Sequence, residues 1–262
     1  MPGADGPCEL EILVQAVRVG GAIALARQGQ PLKMRRKADG SPVTDADEAV
    51  DQAMAQILRG ARPDYAWLSE ESADPPEQRR KARAWIIDPI DGTRGFMNGS
   101  DAFCQAACLT QNGRAIAAAI FRPATGELFS AWSGGGASLN GQPIQVRTPR
   151  LPAEAIVLAG RSVFGSGAPF AVRPISALCL ALAEVAAGRA DAIAALGPKS
   201  DWDLAAGALL VEEAGGLATR ADGSPFAFNQ ADPRQPGLLA AGPPFHDLLS
   251  KALAARGHDS QS

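Results

Sequence analysis

Histidine is scarce in this chain. Its 262 residues hold two, His246 and His258, both near the C-terminal end. A zinc site built on imidazoles is therefore not expected. No G-x-S-x-G elbow accompanies His246 to complete a Ser-His-Asp triad. Cysteine is also sparse: Cys8, Cys104, Cys108 and Cys179 form no C-x-x-C pair and lack the spacing of a disulfide framework. A basic excess is missing, with 25 Lys and Arg against 28 Asp and Glu. That balance argues against a nucleic-acid polymer as partner. No apolar run approaches the length of a membrane span. The segment MPGADGPCEL offers neither a basic n-region nor a signal h-region. The expectation is a cytoplasmic protein. Phosphate loops of the G-x-x-x-x-G-K-[ST] type and G-x-G-x-x-G fingerprints are absent as well. What remains for an enzyme is chemistry on carboxylates and hard cations.

Apolar residues make up 46% of the chain and charged residues 20%, which is ordinary for a soluble globular protein. The length suits one large domain or two intimate halves. Pro149 and Pro152 punctuate the stretch from Val146 to Glu154, which reads as a hinge. It separates residues 1–147, an α+β half, from residues 148–262, an α/β half. The second half alternates: strand Ala155–Ala159, helix Ser176–Ala187, strand Ala190–Leu196, helix Leu204–Glu213. That order predicts an α/β layer arrangement.

The richest stretch is Trp85-Ile86-Ile87-Asp88-Pro89-Ile90-Asp91-Gly92-Thr93. Trp85 to Ile87 reads as a buried strand. Pro89 has no N–H, so the strand is expected to stop there. Asp91-Gly92 reads as a tight turn with Gly92 free to take a positive φ. Two carboxylates are thus held on a rigid corner. The N–H groups of Gly92 and Thr93 open the next segment, read as a short helix. Carboxylates beside free N–H groups suit a divalent cation meeting a phosphate.

Other acids stand at element ends. Thr44-Asp45-Ala46-Asp47 has the capping-box spacing, followed by a helical stripe of Val50, Met54, Ile57 and Leu58. Glu70, in LSEES, follows a short apolar run and should sit at a strand end as Asp88 does. Trp202-Asp203 opens a helix that Gly215-Gly216 closes. Leu10–Arg27 reads as a helix, weakened by Gly20-Gly21, and Lys33 to Ser41 as a basic loop that could meet a phosphate. Asn112-Gly113, Thr125-Gly126 and Asn140-Gly141 mark hairpin turns. The Gly134-Gly135-Gly136 run reads as a hairpin connector. Cys104 and Cys108 read as small buried residues on one face of a strand. Glu70, Asp88, Asp91 and Asp203 together form an all-oxygen set that selects Mg²⁺ or Mn²⁺.

WIIDPIDGTRGF resembles the D-P-[IL]-D-G-T-x-x-F motif of the inositol monophosphatase superfamily of magnesium-dependent, lithium-sensitive phosphatases. SPVTDAD, LSEES, GRADAIAAL and DWDLAAGALLVEEAGG resemble the same superfamily. These motifs run in its order from about Lys37 to Gly216. The resemblance implies a layered αβαβα sandwich and direct hydrolysis of a phosphate monoester on a small phosphorylated metabolite. It implies two or three Mg²⁺ ions, held by Glu70, Asp88, the Ile90 carbonyl, Asp91 and Asp203. Asp88 would be shared between two ions. Asp47 would pair with Thr93, and the two would orient the attacking water. Gly92 and Thr93 would hold phosphate oxygens. A homodimer is implied too.

Two rivals are weighed against this. Haloacid-dehalogenase-type phosphatases carry D-x-D-G-T, but here Pro89 stands two residues before Asp91. A non-catalytic relative binding a phosphorylated ligand would be favoured by loss of a metal carboxylate, and all four are present. For substrate, a Glu that contacts inositol hydroxyls in inositol monophosphatases is replaced by Ala195. KADGSPVTDAD and LSEESADPP look closer to bacterial 3'(2'),5'-bisphosphate nucleotidases, which hydrolyse 3'-phosphoadenosine 5'-phosphate. Inositol-1-monophosphatase and histidinol-phosphate phosphatase are the alternatives. Arg161, Arg173 and Lys199 are candidates for a second phosphate.

Overall fold

The computed structural model describes residues 6–37, 40–77, 79–165 and 167–259. The first half runs α1 (Gly6–Arg27), β1 (Met34–Arg36), β2 (Pro42–Thr44), α2 (Asp45–Ala61), β3 (Ala66–Ser69), β4 (Arg83–Asp91), α3 (Thr93–Met97), β5 (Cys104–Gln111), β6 (Arg114–Arg122), β7 (Glu127–Trp132), β8 (Gly136–Leu139) and β9 (Gln142–Pro143). The second runs β10 (Ile156–Ala159), α4 (Arg161–Phe164), β11 (Ala171–Arg173), α5 (Leu178–Ala186), β12 (Ala192–Ala195), β13 (Lys199–Ser200), α6 (Asp201–Glu213), β14 (Leu217–Thr219), β15 (Arg234–Gln235), β16 (Leu238–Ala241) and α7 (Pro243–Asp259).

Two sheets organise these elements. Strands β3 to β9 lie side by side in chain order in a seven-stranded sheet. Its first pair, β3 and β4, is parallel, and the rest is an antiparallel meander. The meander needs tight turns, and Asn112-Gly113 and Asn140-Gly141 supply them with positive φ at both residues. The second sheet has the order β11-β10-β12-β16-β14.

Strand periodicity divides the apolar residues between layers. Trp85, Ile87, Ala107, Leu109, Ala117 and Ala119 pack with Leu13, Val17, Val50, Met54 and Leu58 of α1 and α2. Their neighbours Ile86, Cys108, Ala118 and Ile120 face the other way, onto α5 and α6. Those two helices also bury Ile193, Leu238 and Ala240 of the second sheet. Its outer face, with Val157, Ala194 and Leu239, is covered by Phe164 of α4 and Phe245 and Leu249 of α7. The layers are therefore helix, sheet, helix, sheet, helix. Gly20 and Gly21 do not interrupt α1. A Cβ on Gly21 would lie 2.6 Å from the Phe121 ring, so a bare backbone lets α1 settle on the sheet.

Two expectations are corrected. Met34–Arg36, inside the stretch read as a basic loop, is strand β1, held by antiparallel pairing with Pro42–Thr44. Strand β4 does not end at Pro89 but continues to Asp91. The ladder passes from Asp88 opposite Ala106 to Asp91 opposite Cys104, three steps on β4 against two on β5. Pro89 lies within this bulge, where the ladder is broken and its missing N–H is tolerated.

Candidate active site

The bulge decides where the carboxylates point. In a regular strand, residues three apart project to opposite faces. The extra residue reverses that parity. Ile90 joins the layer of α1 and α2. Asp88 and Asp91 stand opposite Ala106 and Cys104, on the face toward α5 and α6. Gly92 follows at φ 90°, a conformation that favours glycine, and its Cβ position is 2.8 Å from the Ala102 carbonyl. The chain then enters α3.

Neighbouring elements bring further acids to this corner. The parallel pairing of β3 and β4 sets their carboxyl ends together. The Glu70 N–H continues the ladder to the Ile87 carbonyl at 3.2 Å. Sites in α/β sheets commonly form at such strand ends. Asp51 of α2 accepts hydrogen bonds from Ser69 Oγ at 2.5 Å and Ser72 Oγ at 2.6 Å, which tie the Glu70-bearing turn to α2. One helical turn earlier, Asp47 closes the capping box. Its Oδ2 accepts from the Thr44 N–H at 2.8 Å and the Thr44 hydroxyl at 2.5 Å. Its Oδ1 faces the Thr93 hydroxyl at 3.1 Å. That hydroxyl is also 3.0 Å from the Ile90 carbonyl. It has one proton to donate, so one acceptor takes it while an oxygen lone pair stays available. Asp203 caps α6, accepting from the Ser200 N–H at 2.9 Å.

The clustered acids also bear on one another electrostatically. Burial pushes the Asp88 carboxyl well up, and Glu70, Asp91, Asp203 and Asp47 all add to the rise. Its Oδ1 is buried without a hydrogen-bond partner among the described residues. Burial raises Asp91 to about 6 despite N–H donors from α5. Leu178 donates to its Oδ1 at 2.9 Å and Leu180 to its Oδ2 at 3.2 Å. Burial takes Asp203 to about 7, with Asp91 and Glu70 adding to the rise. Asp47 is raised by burial, which outweighs its bonds to Thr44 and Thr93. A buried group of acids that repel one another is costly unless a cation joins it. The donor set and the unpartnered Asp88 oxygen fit a hard divalent ion.

Sequence reasoning missed three neighbours of the carboxylates. Lys37 Nζ lies 2.8 Å from Glu70 Oε1 and 2.7 Å from Glu71 Oε1. Burial opposes the charge on Lys37, but the two glutamates outweigh it and raise its pKa. Glu71 is pushed up by burial to about 7. Lys37 lies in the flagged basic loop, but no spacing distinguishes it from Lys33 or Arg36. The N–H groups of α5 were also missed, because no local pattern ties Leu178 to Asp91. Cys179 is the third: a ligand atom from each of Asp88, Asp91 and Cys179 lies within 4.8 Å of the other two.

Of the proposed cations, Lys199 Nζ is engaged by the carbonyls of Leu196, Gly197 and Pro198 at 3.2 to 3.4 Å. Its charge also reaches Asp203, where it offsets a small part of the rise caused by burial. Arg173 stands exposed on the edge strand β11, and no hydrogen bond or ion pair among the described residues ties it to the carboxylates. Arg161 begins α4, and its side chain lies outside the described residues. No helix among the described residues is long and apolar enough to cross a membrane.

Comparison with known proteins identifies the family. The family model described as inositol monophosphatase family matches residues 8–258. An inositol-1-monophosphatase of Rhizobium meliloti is 33% identical over 261 residues, covering 93% of this chain and 94% of that protein. The Nus factor SuhB of Xylella fastidiosa is 34% identical, covering 79% and 80%. The solved Thermotoga maritima IMPase superposes with a TM-score of 0.84 at 26% identity, covering 95% of this chain and 98% of that one. A bulged D-P-I-D-G-T corner, ringed by carboxylates from three further elements, thus sits in a fold shared along nearly the whole chain, and the protein belongs to the inositol monophosphatase family of metal-dependent phosphomonoesterases.

Proposed function

We propose that this chain hydrolyses a phosphate monoester of a small metabolite with Mg²⁺, by direct attack of water. The observation that carries this reading is the buried Asp88 carboxylate, unpartnered at Oδ1 and surrounded by the charges of Glu70, Asp91 and Asp203. Glu70, Asp88, the Ile90 carbonyl, Asp91 and Asp203 would hold the cation. A bound Mg²⁺ would neutralise the ester's charge and acidify a water. Thr93 acts on that water. Its hydroxyl is steered by Asp47 at 3.1 Å and the Ile90 carbonyl at 3.0 Å, and its remaining lone pair can accept a water proton. Gly92 and Thr93 open α3, and helix openings leave N–H groups free for phosphate oxygens. A purely ligand-binding role does not need the Asp47–Thr93 pair.

For the ester we propose a 3'(2'),5'-bisphosphate nucleotide, 3'-phosphoadenosine 5'-phosphate. Ala195 ends β12 and offers no side-chain acceptor to a polyol hydroxyl. A polyol site lacking that acceptor should lose roughly 1–3 kcal/mol per unmade buried hydrogen bond. Lys199, four residues on, brings a cation for a second phosphate. The second reading is inositol 1-phosphate, favoured by the name of the Rhizobium meliloti relative. A panel of kcat/KM values at fixed Mg²⁺ separates them, with histidinol phosphate and fructose 1,6-bisphosphate included. The nucleotide should lead. If inositol 1-phosphate or histidinol phosphate leads by about tenfold, or 1.4 kcal/mol, the nucleotidase reading is wrong and only the phosphatase chemistry stands.

A further inference from the structure

Cys179 has no part in the chemistry above, yet it stands at its centre. It lies at the start of α5, wholly buried, in the helix whose Leu178 and Leu180 N–H groups hold Asp91. Ligand atoms of Asp88, Asp91 and Cys179 all lie within 4.8 Å of one another. A cation placed among three such atoms reaches all of them after small side-chain rotations, since metal–oxygen and metal–sulfur bonds span about 2.0–2.3 Å. Asp88 Oδ1, buried and unpartnered, is available to it. The Cys179 thiol is held by weak contacts, 3.4 Å to the Trp202 carbonyl and 3.3 Å to the Asp203 carbonyl. Neither is a bond that a metal could not displace.

We propose that Asp88, Asp91 and Cys179 form a mixed carboxylate–thiolate site for a thiophilic divalent cation, such as Zn²⁺ or Cd²⁺, which competes with the hard cation for the two carboxylates. The inference rests on the reading of Asp88 and Asp91 as cation ligands. Softness decides the selection. Mg²⁺ demands oxygen donors and near-octahedral geometry, so sulfur adds nothing for it. Zn²⁺ and Cd²⁺ gain a sulfur bond and accept fewer ligands, leaving one position for water. On binding, the S–H bond breaks, a sulfur–metal bond forms, and one proton is released to solvent. The site would make the enzyme more sensitive to trace soft metals than one with alanine at this position.

The test uses the full chain carrying Cys8→Ser, because Cys8 is an exposed free thiol and thiols are soft-metal ligands. Cd²⁺ is titrated into protein freed of metal, and the ultraviolet cysteinate-to-Cd²⁺ charge-transfer band is followed. Mg²⁺ affinity is measured separately by calorimetry. The expected result is a saturable band at one Cd²⁺ per chain, diminished by competing Mg²⁺. Cys179→Ala should abolish the band and lower the Cd²⁺ to Mg²⁺ affinity ratio by at least about tenfold. Cys179→Ser serves where alanine disturbs folding, since its hydroxyl can still donate to the Trp202 or Asp203 carbonyl. Cys104→Ala should keep the band. No band in the parent protein at saturating Cd²⁺, or a band that survives in both Cys179 variants, overturns the proposal. A parent protein that shows the band but hydrolyses no phosphate ester with Mg²⁺ would instead overturn the proposed function and leave this site standing.

Discussion

Replacing Asp88 with Asn tests the electrostatics of the site in a form that does not depend on turnover. The change keeps shape and removes one negative charge. Asp88 and Asp91 present oxygens no more than 4.8 Å apart. At that separation two unit charges repel by about 3 kcal/mol for an effective dielectric constant near 20. Protonation limits how much of this the protein bears, and the sign follows from linkage. Burial raises the Asp91 pKa from 3.8 to about 6 in the folded state. A raised folded pKa contributes stability that is complete below the unfolded value and is lost as pH climbs through the folded one. For Asp91 the loss amounts to on the order of 3 kcal/mol. Metal-free wild-type protein should therefore become less stable between about pH 4 and pH 7, and Mg²⁺ should reverse the loss by binding only the folded state. In chelator at about pH 8, Asp88→Asn should be more stable than wild type by roughly 1–3 kcal/mol, and near pH 4 the advantage should shrink toward zero. The assay is urea unfolding at both pH values, with and without Mg²⁺. The same variant should respond weakly to Mg²⁺ and have almost no phosphatase activity. If Asp88→Asn is less stable than wild type in chelator at the higher pH, the repulsion argument fails.

Three other outcomes follow from the site and its packing. Thr93→Ala should lower kcat more than it raises KM, because the hydroxyl acts on water rather than on the ester, and Thr93→Ser should recover most of the rate; steady-state kinetics with equal losses in both constants would contradict this. Hydrolysis should stop in chelator, resume with Mg²⁺ and fall with excess Ca²⁺, which fits a small octahedral site poorly, and by family resemblance Li⁺ should inhibit; full turnover in chelator would refute the metal requirement. Gly207→Ala should destabilise the protein by about 1–3 kcal/mol, since overpacking forces backbone shifts. Its new Cβ would sit 2.4 Å from Leu182 Cβ across the α5–α6 contact, so an unchanged melting temperature would mean that the two helices part easily.

The parts of this protein written in short stretches of sequence are those governed by neighbouring residues. The Thr44–Asp47 capping box, the Asn-Gly hairpin turns and a helix opening around Trp202-Asp203 all emerge as the local sequence predicts, because each rests on hydrogen bonds or φ preferences spanning a few residues. The alternation in Trp85–Ile87 likewise set which side chains meet α1 and α2 and which meet α5 and α6. Composition, too, limited the chemistry to carboxylates before any contact was known. Tertiary structure decided the rest. Pro89 read locally as a strand end, but pairing with β5 absorbed it in a bulge, and that extra residue is what turns Asp91 onto the same face as Asp88. Lys37, just past β1, became the partner of Glu70 and Glu71, more than thirty residues further along, a placement no local spacing carries. The N–H groups that hold Asp91 come from residues 87 and 89 positions further along. Cys179 arrives with them, as a passenger on the same helix turn. Such contacts cross from one layer to the next, and they form only when burial of the α5–α6 layer between two sheets brings distant segments together.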